Sequence, residues 1–459
     1  MKPKALSFFV AFSAMVVCSV ILVAHPDLTW HDQQRLGQIA FSVLAFAGFL
    51  CIRSSGVVQI NSAWLWPAIG ILVLGAVSTV FALRPLWAAT EYALLVASIG
   101  IGAFIFGPMR QFGDHADLVL GSLLRLLLAS MVLQFYVSFV SALVHAEMFF
   151  TPWSLLYGFS NMRFEGQFLT IVVPLLGASL YLQTSGGIRY PRGLDIFLMI
   201  SLAAMVFVAG TRGTIAAWGA VSVLFWVFNV GARSLAKRML MAMAVGFILA
   251  WLVLNTVSWV TGQEVDYRFA GEQVLGLSLR EILWKQAWVT IAEHPWLGVG
   301  PMHFASLGSR IAAHPHQALL QIASEWGLPA LFLMVLAVAI WLIKVFGEVK
   351  ASNDEAGADL RWALLFAVLS SMVQSMVDGV LVMPYPQLWL AIAVGWCSAR
   401  CLPRFQGAVV KVQLWLPLLL WASANVLLVS MAFIGYPELV GASEFSTAGG
   451  PRFWCDGRI

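Results

Sequence analysis

Charge is what this 459-residue sequence has least of: Asp, Glu, Lys and Arg make up 10% of it, against 61% hydrophobic residues. Soluble domains carry roughly 25% charged residues, so a water-soluble fold is excluded. The formal net charge of +4 gives no support to nucleic-acid binding. Cysteine is also scarce. Of the five, Cys18, Cys51, Cys397 and Cys401 lie in or beside apolar runs and Cys455 falls in the last few residues, so no disulfide framework follows. Cys397 and Cys401 are one helical turn apart with no histidine nearby, which favours packing over metal ligation. No metal or cofactor site is implied. The short alternating strands of a β-barrel are missing too. The MKPK start and the apolar run behind it lack an evident small-residue cleavage site, which reads as a retained first span.

What is present is a series of apolar runs of about 18 to 26 residues, the length a helix needs to cross about 30 Å of hydrocarbon. Expected spans are residues 5 to 24, 37 to 52, 63 to 83, 87 to 107, 117 to 143, 165 to 183, 193 to 210, 214 to 231, 239 to 260, 318 to 345, 362 to 380, 386 to 400 and 412 to 434. The expected fold class is an all-α polytopic membrane protein with about 12–13 transmembrane helices. The short runs at 37 to 52 and 386 to 400 are the ones open to being broken or re-entrant. Alternate loops hold Lys2 and Lys4, Arg53, Arg110, Arg189 and Arg192, Arg233 with Lys237 and Arg238, Lys344 with Lys350 and Arg361, and Arg400 with Arg404 and Lys411. The positive-inside rule makes these cytoplasmic. The organisation is then membrane helices over 1 to 260, an outer loop over 261 to 317, more membrane helices over 318 to 435, and a tail over 436 to 459. The outer loop is the one sizeable extramembrane segment, and a loop of that length is usually functional.

Inside that loop, Ser278 and Glu281 fit a capping box, and Arg280, Trp284, Ala287, Trp288 and Ile291 recur at helical spacing up to Pro295. An amphipathic helix is expected, with its tryptophans in the headgroup layer. Arg280 sits in its first turn, where a cation opposes the helix dipole unless an anion is nearby, or else snorkels to lipid phosphates. HPWLGVGP follows, and Gly298 and Gly300 permit a tight reversal; as a phosphate cradle it lacks the P-loop Lys and Ser/Thr. The richest segment is HPHQALLQIASEWGLPALF, from His314 to Phe332. Pro315 suits a helix's first turn, and Gln317, Gln321, Ser324 and Glu325 form a polar stripe expected to face a cavity or the bundle interior. His316 is expected to open this helix, where the positive dipole end favours a neutral ring able to accept a proton; His314 is the alternative base or a phosphate contact.

Three further positions stand out. Arg212, in the turn GTRGT, is bracketed by glycines and able to grip a phosphate bidentately; the competing reading is an arginine at lipid headgroups. Arg163 with Glu165 and Gln167 starts another span from the same side. Asp378, one turn after Gln374, is costly in a membrane unless paired, and either group is placed to orient His316 or an arginine. Glu91 near Arg84 reads as a structural ion pair.

TRG after an apolar span, SLREILWKQAW leading to HPWLGVG, and then HPHQALLQIASEWGLPALF together resemble the superfamily of O-antigen ligases, O-antigen polymerases and bacterial protein O-oligosaccharyltransferases. GFSNMRFEGQF resembles a stretch seen there too, and the likeness covers roughly residues 155 to 390. The resemblance implies a GT-C-like, metal-independent, inverting glycosyltransferase of the bacterial inner membrane that works on the periplasmic face without a cofactor. Its donor would be an undecaprenyl-diphosphate-linked glycan and its acceptor the lipid A-core oligosaccharide. Carried over by motif, Arg212 and Arg280 engage the donor diphosphate and His316 is the base. Beside them, His314, Arg163, Gln317 and Asp378 are candidate substrate-binding positions. The family's usual Asn after the histidine is here Gln317, which keeps the amide on a longer arm. The short tail favours the ligase; a protein O-oligosaccharyltransferase or a polymerase is the alternative. A transporter, from another class, would show helix breaks or charges near mid-bilayer in matching halves, whereas this sequence gathers Arg, His and Glu at one face.

Overall fold

The computed structural model describes residues 28–52, 57–145, 150–182, 192–228, 232–262, 279–307, 311–351, 358–402, 409–434 and 452–454. The expected first span at 5 to 24, Ser278 of the capping box, and Cys18 and Cys455 lie outside them. In chain order the described elements are α1 (Trp30–Ile52), β1 (Val57–Asn61), α2 (Ser62–Phe81), α3 (Pro85–Phe112), α4 (Asp114–His145), α5 (Met162–Leu182), α6 (Arg192–Val208), α7 (Arg212–Phe228), α8 (Arg233–Thr261) and α9 (Arg280–Glu293). They continue with α10 (Ala318–Trp326), α11 (Leu328–Ala351), α12 (Ala358–Ser375), α13 (Pro384–Cys401), β2 (Val409–Gln413) and α14 (Trp415–Ile434). Short 3-10 turns lie at Pro152–Leu155 and His303–Leu307. Among the described residues seven helices, α1 to α4, α8, α11 and α14, are long and apolar enough to cross a membrane. The chain is a predominantly helical, multi-pass membrane protein.

Several boundaries depart from the sequence reading. The span expected at 318 to 345 is two helices, because Gly327 adopts φ 85, a left-handed value that glycine reaches without strain. A Cβ there would collide with the Trp296 carbonyl, so the break is also a point of close approach. The run at 37 to 52 is unbroken and begins earlier: α1 reaches back to Trp30, and its polar first turns, including Asp32, Arg35 and Gln38, are buried rather than in a loop. They are buried because they are paired: Arg35 donates to Gln38 Oε1 at 2.6 Å, to Gln387 Oε1 at 3.0 Å and to the Val382 carbonyl at 2.9 Å. The run at 386 to 400 is likewise continuous as α13. The all-α expectation also missed a ribbon, since β1 pairs antiparallel with β2, Val57 opposite Gln413. Val58 to Asn61 and Val410 to Gln413 do alternate apolar and polar residues, a four-residue signal that the search for long apolar runs passes over.

The chain forms two compact units: residues 1–108, 277–348 and 375–459 make the first, and 109–276 with 349–374 the second. The first holds α1, α2, most of α3, α9, α10, most of α11, α13, α14 and the ribbon. Its helices meet through small residues and aromatics: Gly75 lies against the Trp326 ring, Gly395 against the Gly102 backbone, and Trp421 donates to Ser42 Oγ at 3.0 Å. The second holds α4 to α8 and nearly all of α12. Gly246 lets α8 approach Ala203 of α6, and Phe225 meets the Trp362 ring edge-on at 5.2 Å. Arg125 and Asp195 form a bidentate pair, 2.9 and 3.1 Å, which lets two charges sit inside an apolar helix bundle.

Candidate functional site: a buried histidine pair and its polar support

In the first unit the chain from α9 to α10 folds into one polar centre. α9 buries Leu283 and Ala287 against Phe304 and Ala312, and Ile291 is buried one turn further on. The buried face is set by Leu283 rather than by the tryptophans: Trp288 is exposed, and Trp284 donates to the Pro315 carbonyl at 3.0 Å. Trp284 therefore braces the histidine segment through its ring N–H. Arg280 is partly exposed at the first residue of α9, as expected, although the residue before the helix is Leu279, at φ 65.

The reversal at 294–301 docks the end of α10. Val299 N–H donates to the Ser324 carbonyl at 2.9 Å and Gly300 N–H to the Glu325 carbonyl at 3.0 Å, while Gly298 N–H returns to His294 O at 3.1 Å. Gly298 and Gly300 have φ of 64 and 108, and a Cβ on Gly298 would strike the Glu325 backbone. Its backbone donors thus serve protein carbonyls, so the loop is a structural clasp rather than a phosphate cradle. His303, just beyond, is structural: Nδ1 faces the Pro301 carbonyl at 2.8 Å and Nε2 accepts the Arg84 N–H at 2.9 Å. Burial lowers its pKa from the ordinary histidine value, against the hydrogen bond to Pro301.

His314 and His316 are both buried, with ring centroids 4.1 Å apart. His316 does not open the helix. It sits at φ 52, its N–H donates to His314 Nδ1 at 3.2 Å, and α10 begins only at Ala318. Gln317 is the N-cap, extended at φ −153, with its side-chain oxygen accepting the Leu320 N–H at 2.5 Å. The longer arm relative to Asn is thus spent on capping. The acid beside His316 is Asp378, whose Oδ1 lies 3.5 Å from His316 Nδ1, at ion-pair distance without a hydrogen bond, and accepts the Gly379 N–H at 2.9 Å. Gly379 is needed at that turn, since a Cβ would come within 2.6 Å of the His314 ring.

The polar stripe of α10 is interior, as expected: Gln321, Ser324 and Glu325 are buried. The partner of Glu325 was not foreseen. Arg452 reaches it with both terminal nitrogens, at 2.5 and 2.7 Å, and also lies 3.3 Å from Glu91 and 3.4 Å from the Ala313 carbonyl. Glu91 therefore pairs with Arg452 rather than with Arg84, whose guanidinium covers the Trp87 ring at 4.6 Å. Burial disfavours the Arg452 charge, but Glu325 and Glu91 outweigh it and raise the pKa above its ordinary value.

Arg212 and Arg163 belong to the second unit. Arg212 is the first residue of α7, half-buried, after Gly210 at φ 64 and the buried Thr211. Gly166 makes that turn possible, because a Cβ there would overlap Thr211. Thr214 then donates to the Gly166 carbonyl at 2.9 Å and accepts from Gln374 Nε2 at 3.1 Å, tying α5, α7 and α12 together beneath the arginine. Arg163 follows a turn closed by Asn161, whose side chain accepts the Arg163 N–H at 2.9 Å. Glu165 and Gln167 are fully buried, and their side chains have no hydrogen-bond partner among the described residues. Neither Glu165 nor Gln167 orients an arginine by a hydrogen bond.

Fold and site together define a multi-pass membrane protein with a histidine–carboxylate pair buried inside a helical unit. Residues 197–335 match the family model described as O-antigen ligase, which confirms the resemblance read from the motifs. The match contains Arg212, Arg280, His314, His316 and Gln317, and leaves Arg163 and Asp378 outside. No curated protein matches the chain at a significant level.

Proposed function

We propose that the protein is an O-antigen ligase: an inverting glycosyltransferase of the bacterial inner membrane that moves a glycan from undecaprenyl diphosphate to lipid A-core oligosaccharide on the periplasmic face. The observation that carries this reading is the His316–Asp378 pair at 3.5 Å, with His316 inside the family-matched stretch. With Nδ1 turned to a carboxylate, the imidazole keeps its proton there and offers Nε2 as the accepting nitrogen. His316 Nε2 takes the proton of an acceptor hydroxyl, the oxygen bonds to the anomeric carbon, and the bond from that carbon to the diphosphate breaks. The diphosphate leaves with the electron pair, and Arg212 and Arg280 are assigned to its developing charge on the strength of the motif. His314, whose Nδ1 already accepts a backbone N–H, is assigned to a substrate contact beside the base. Gln317 acts through its cap, and Arg163 remains a donor-side contact.

The test is purified protein in detergent with undecaprenyl-diphosphate-linked glycan and a core-type acceptor, without ATP. Product formation with release of undecaprenyl diphosphate is expected, and Arg212→Ala, Arg280→Ala and His316→Ala are each expected to abolish it while remaining folded. Absence of turnover, with intact glycolipid crossing vesicles, overturns the reading in favour of a transporter. Transfer to a protein or to a second lipid-linked glycan, and not to core, assigns the alternative acceptors. Near wild-type transfer by His316→Ala with loss only in His314→Ala makes His314 the base.

A further inference from the structure

Arg452, Phe453 and Trp454 are far in sequence from every motif, yet all three are buried in the first unit. Arg452 is 1% exposed, and each of its contacts is to an element that builds the histidine centre or to the helix behind it. Glu325, its bidentate partner, is the acidic residue of the α10 stripe and also accepts the Phe304 N–H at 3.0 Å, which fixes the wall opposite α9. The Ala313 carbonyl immediately precedes His314. Glu91 comes from α3. Phe453 meanwhile lies under Arg35, 5.1 Å from the guanidinium, and Arg35 holds the Val382 carbonyl in the segment that follows Asp378 and Gly379. The 452–454 segment therefore touches the supports of both members of the His316–Asp378 pair, one through Ala313 and Glu325 and the other through Arg35.

We propose that Arg452 is a positioning residue: the 452–454 segment is a clamp that holds the 313–316 turn and α10 in register, so that His316 stays buried against Asp378. The claim about transfer rests on the ligase reading above; the claim about the clamp does not. A buried bidentate arginine between two carboxylates is a stiff linker, and its removal leaves both acids inside the unit without their counter-charge. Relief comes by local opening of the segment that carries one of them, here the α10 and histidine turn.

The experiment compares the full chain with Arg452→Gln, Arg452→Lys and Glu325→Gln, each first shown monodisperse in detergent. Histidine acylation by diethylpyrocarbonate is followed by peptide mass spectrometry, with the exposed His294 as internal standard. In Arg452→Gln the acylation of His314 and His316 relative to His294 is expected to rise about tenfold, and Arg452→Lys to restore much of the protection. In the transfer assay kcat is expected to fall about a hundredfold with KM little changed, because the misplaced group acts in the chemical step. Unchanged acylation in both Arg452→Gln and Glu325→Gln overturns the clamp, whatever happens to transfer. Raised acylation with wild-type kcat overturns the positioning role. If the unaltered protein transfers no glycan, the ligase reading fails while the acylation comparison still decides the clamp. Should Arg452→Gln not fold, Arg452→Lys and Glu325→Gln carry the same two readouts.

Discussion

Replacement of Asp378 by Asn is the sharpest single perturbation of the proposed chemistry, because it removes a charge and little else. The side chain keeps its size, and its amide oxygen can still accept the Gly379 N–H now held at 2.9 Å. What disappears is the attraction between the carboxylate and the imidazolium that forms when His316 takes a proton. At the 3.5 Å separation and an effective dielectric of about 20, that attraction is about 4–5 kcal/mol. The long contact and the residual amide dipole reduce the realised loss, and half of it, about 2 kcal/mol, corresponds to a factor of about 30 in rate. Asp378→Asn is therefore expected to lower kcat by between about 30-fold and about 1000-fold with little change in KM, since the pair acts on a charge that exists only in the transition state. The measurement is initial rate against donor and acceptor concentration in detergent, with melting temperature as the control for folding. A kcat within about threefold of the unaltered protein, at unchanged melting temperature, refutes the role of the carboxylate.

Two further outcomes concern stability. Glu165 is fully buried with neither carboxyl oxygen hydrogen-bonded among the described residues, so Glu165→Met is expected to raise stability by about 1–3 kcal/mol, read as a higher melting temperature in detergent; a lower melting temperature shows that the carboxyl is engaged in the folded protein. His303 is held below its ordinary pKa by burial, so between that lowered value and the unfolded value of about 6.5 the unfolded chain binds a proton that the native one refuses. Stability is then expected to fall as pH drops through that window, and His303→Gln, which retains an acceptor for the Arg84 N–H, to flatten the dependence of melting temperature on pH; identical slopes in the two proteins exclude His303 as the source.

How much of the protein was legible from residues alone differs by feature, for physical reasons. Membrane character and most helices follow from the length and apolarity of each run, which are local properties, and α4, α8 and α14 lie close to where the apolar runs put them. The motif segment HPHQALLQIASEWG announces an interior polar stripe, and Gln321, Ser324 and Glu325 are buried, because polar residues in an apolar helix are tolerated only where something receives them. What receives them is a long-range matter. The sequence shows that Asp378 needs a partner without naming it, and its place 3.5 Å from His316 comes with a turn at Gly379 that a Cβ would push into the His314 ring. Glu91 was assigned to nearby Arg84 on sequence proximity, yet it pairs with Arg452, more than three hundred positions away in the chain.

The sequence by itself determined the solvent in which this protein lives, the helical class and the segments where polar residues enter apolar helices, since hydrophobicity and helix length are fixed residue by residue. Tertiary structure alone decided that α10 breaks from α11 at Gly327, that His316 precedes its helix rather than starting it, and that Arg452 closes the polar centre. Each of those depends on which backbone or carboxylate lies across the fold, and buried polar groups are satisfied by neighbours in space, wherever in the chain those neighbours stand.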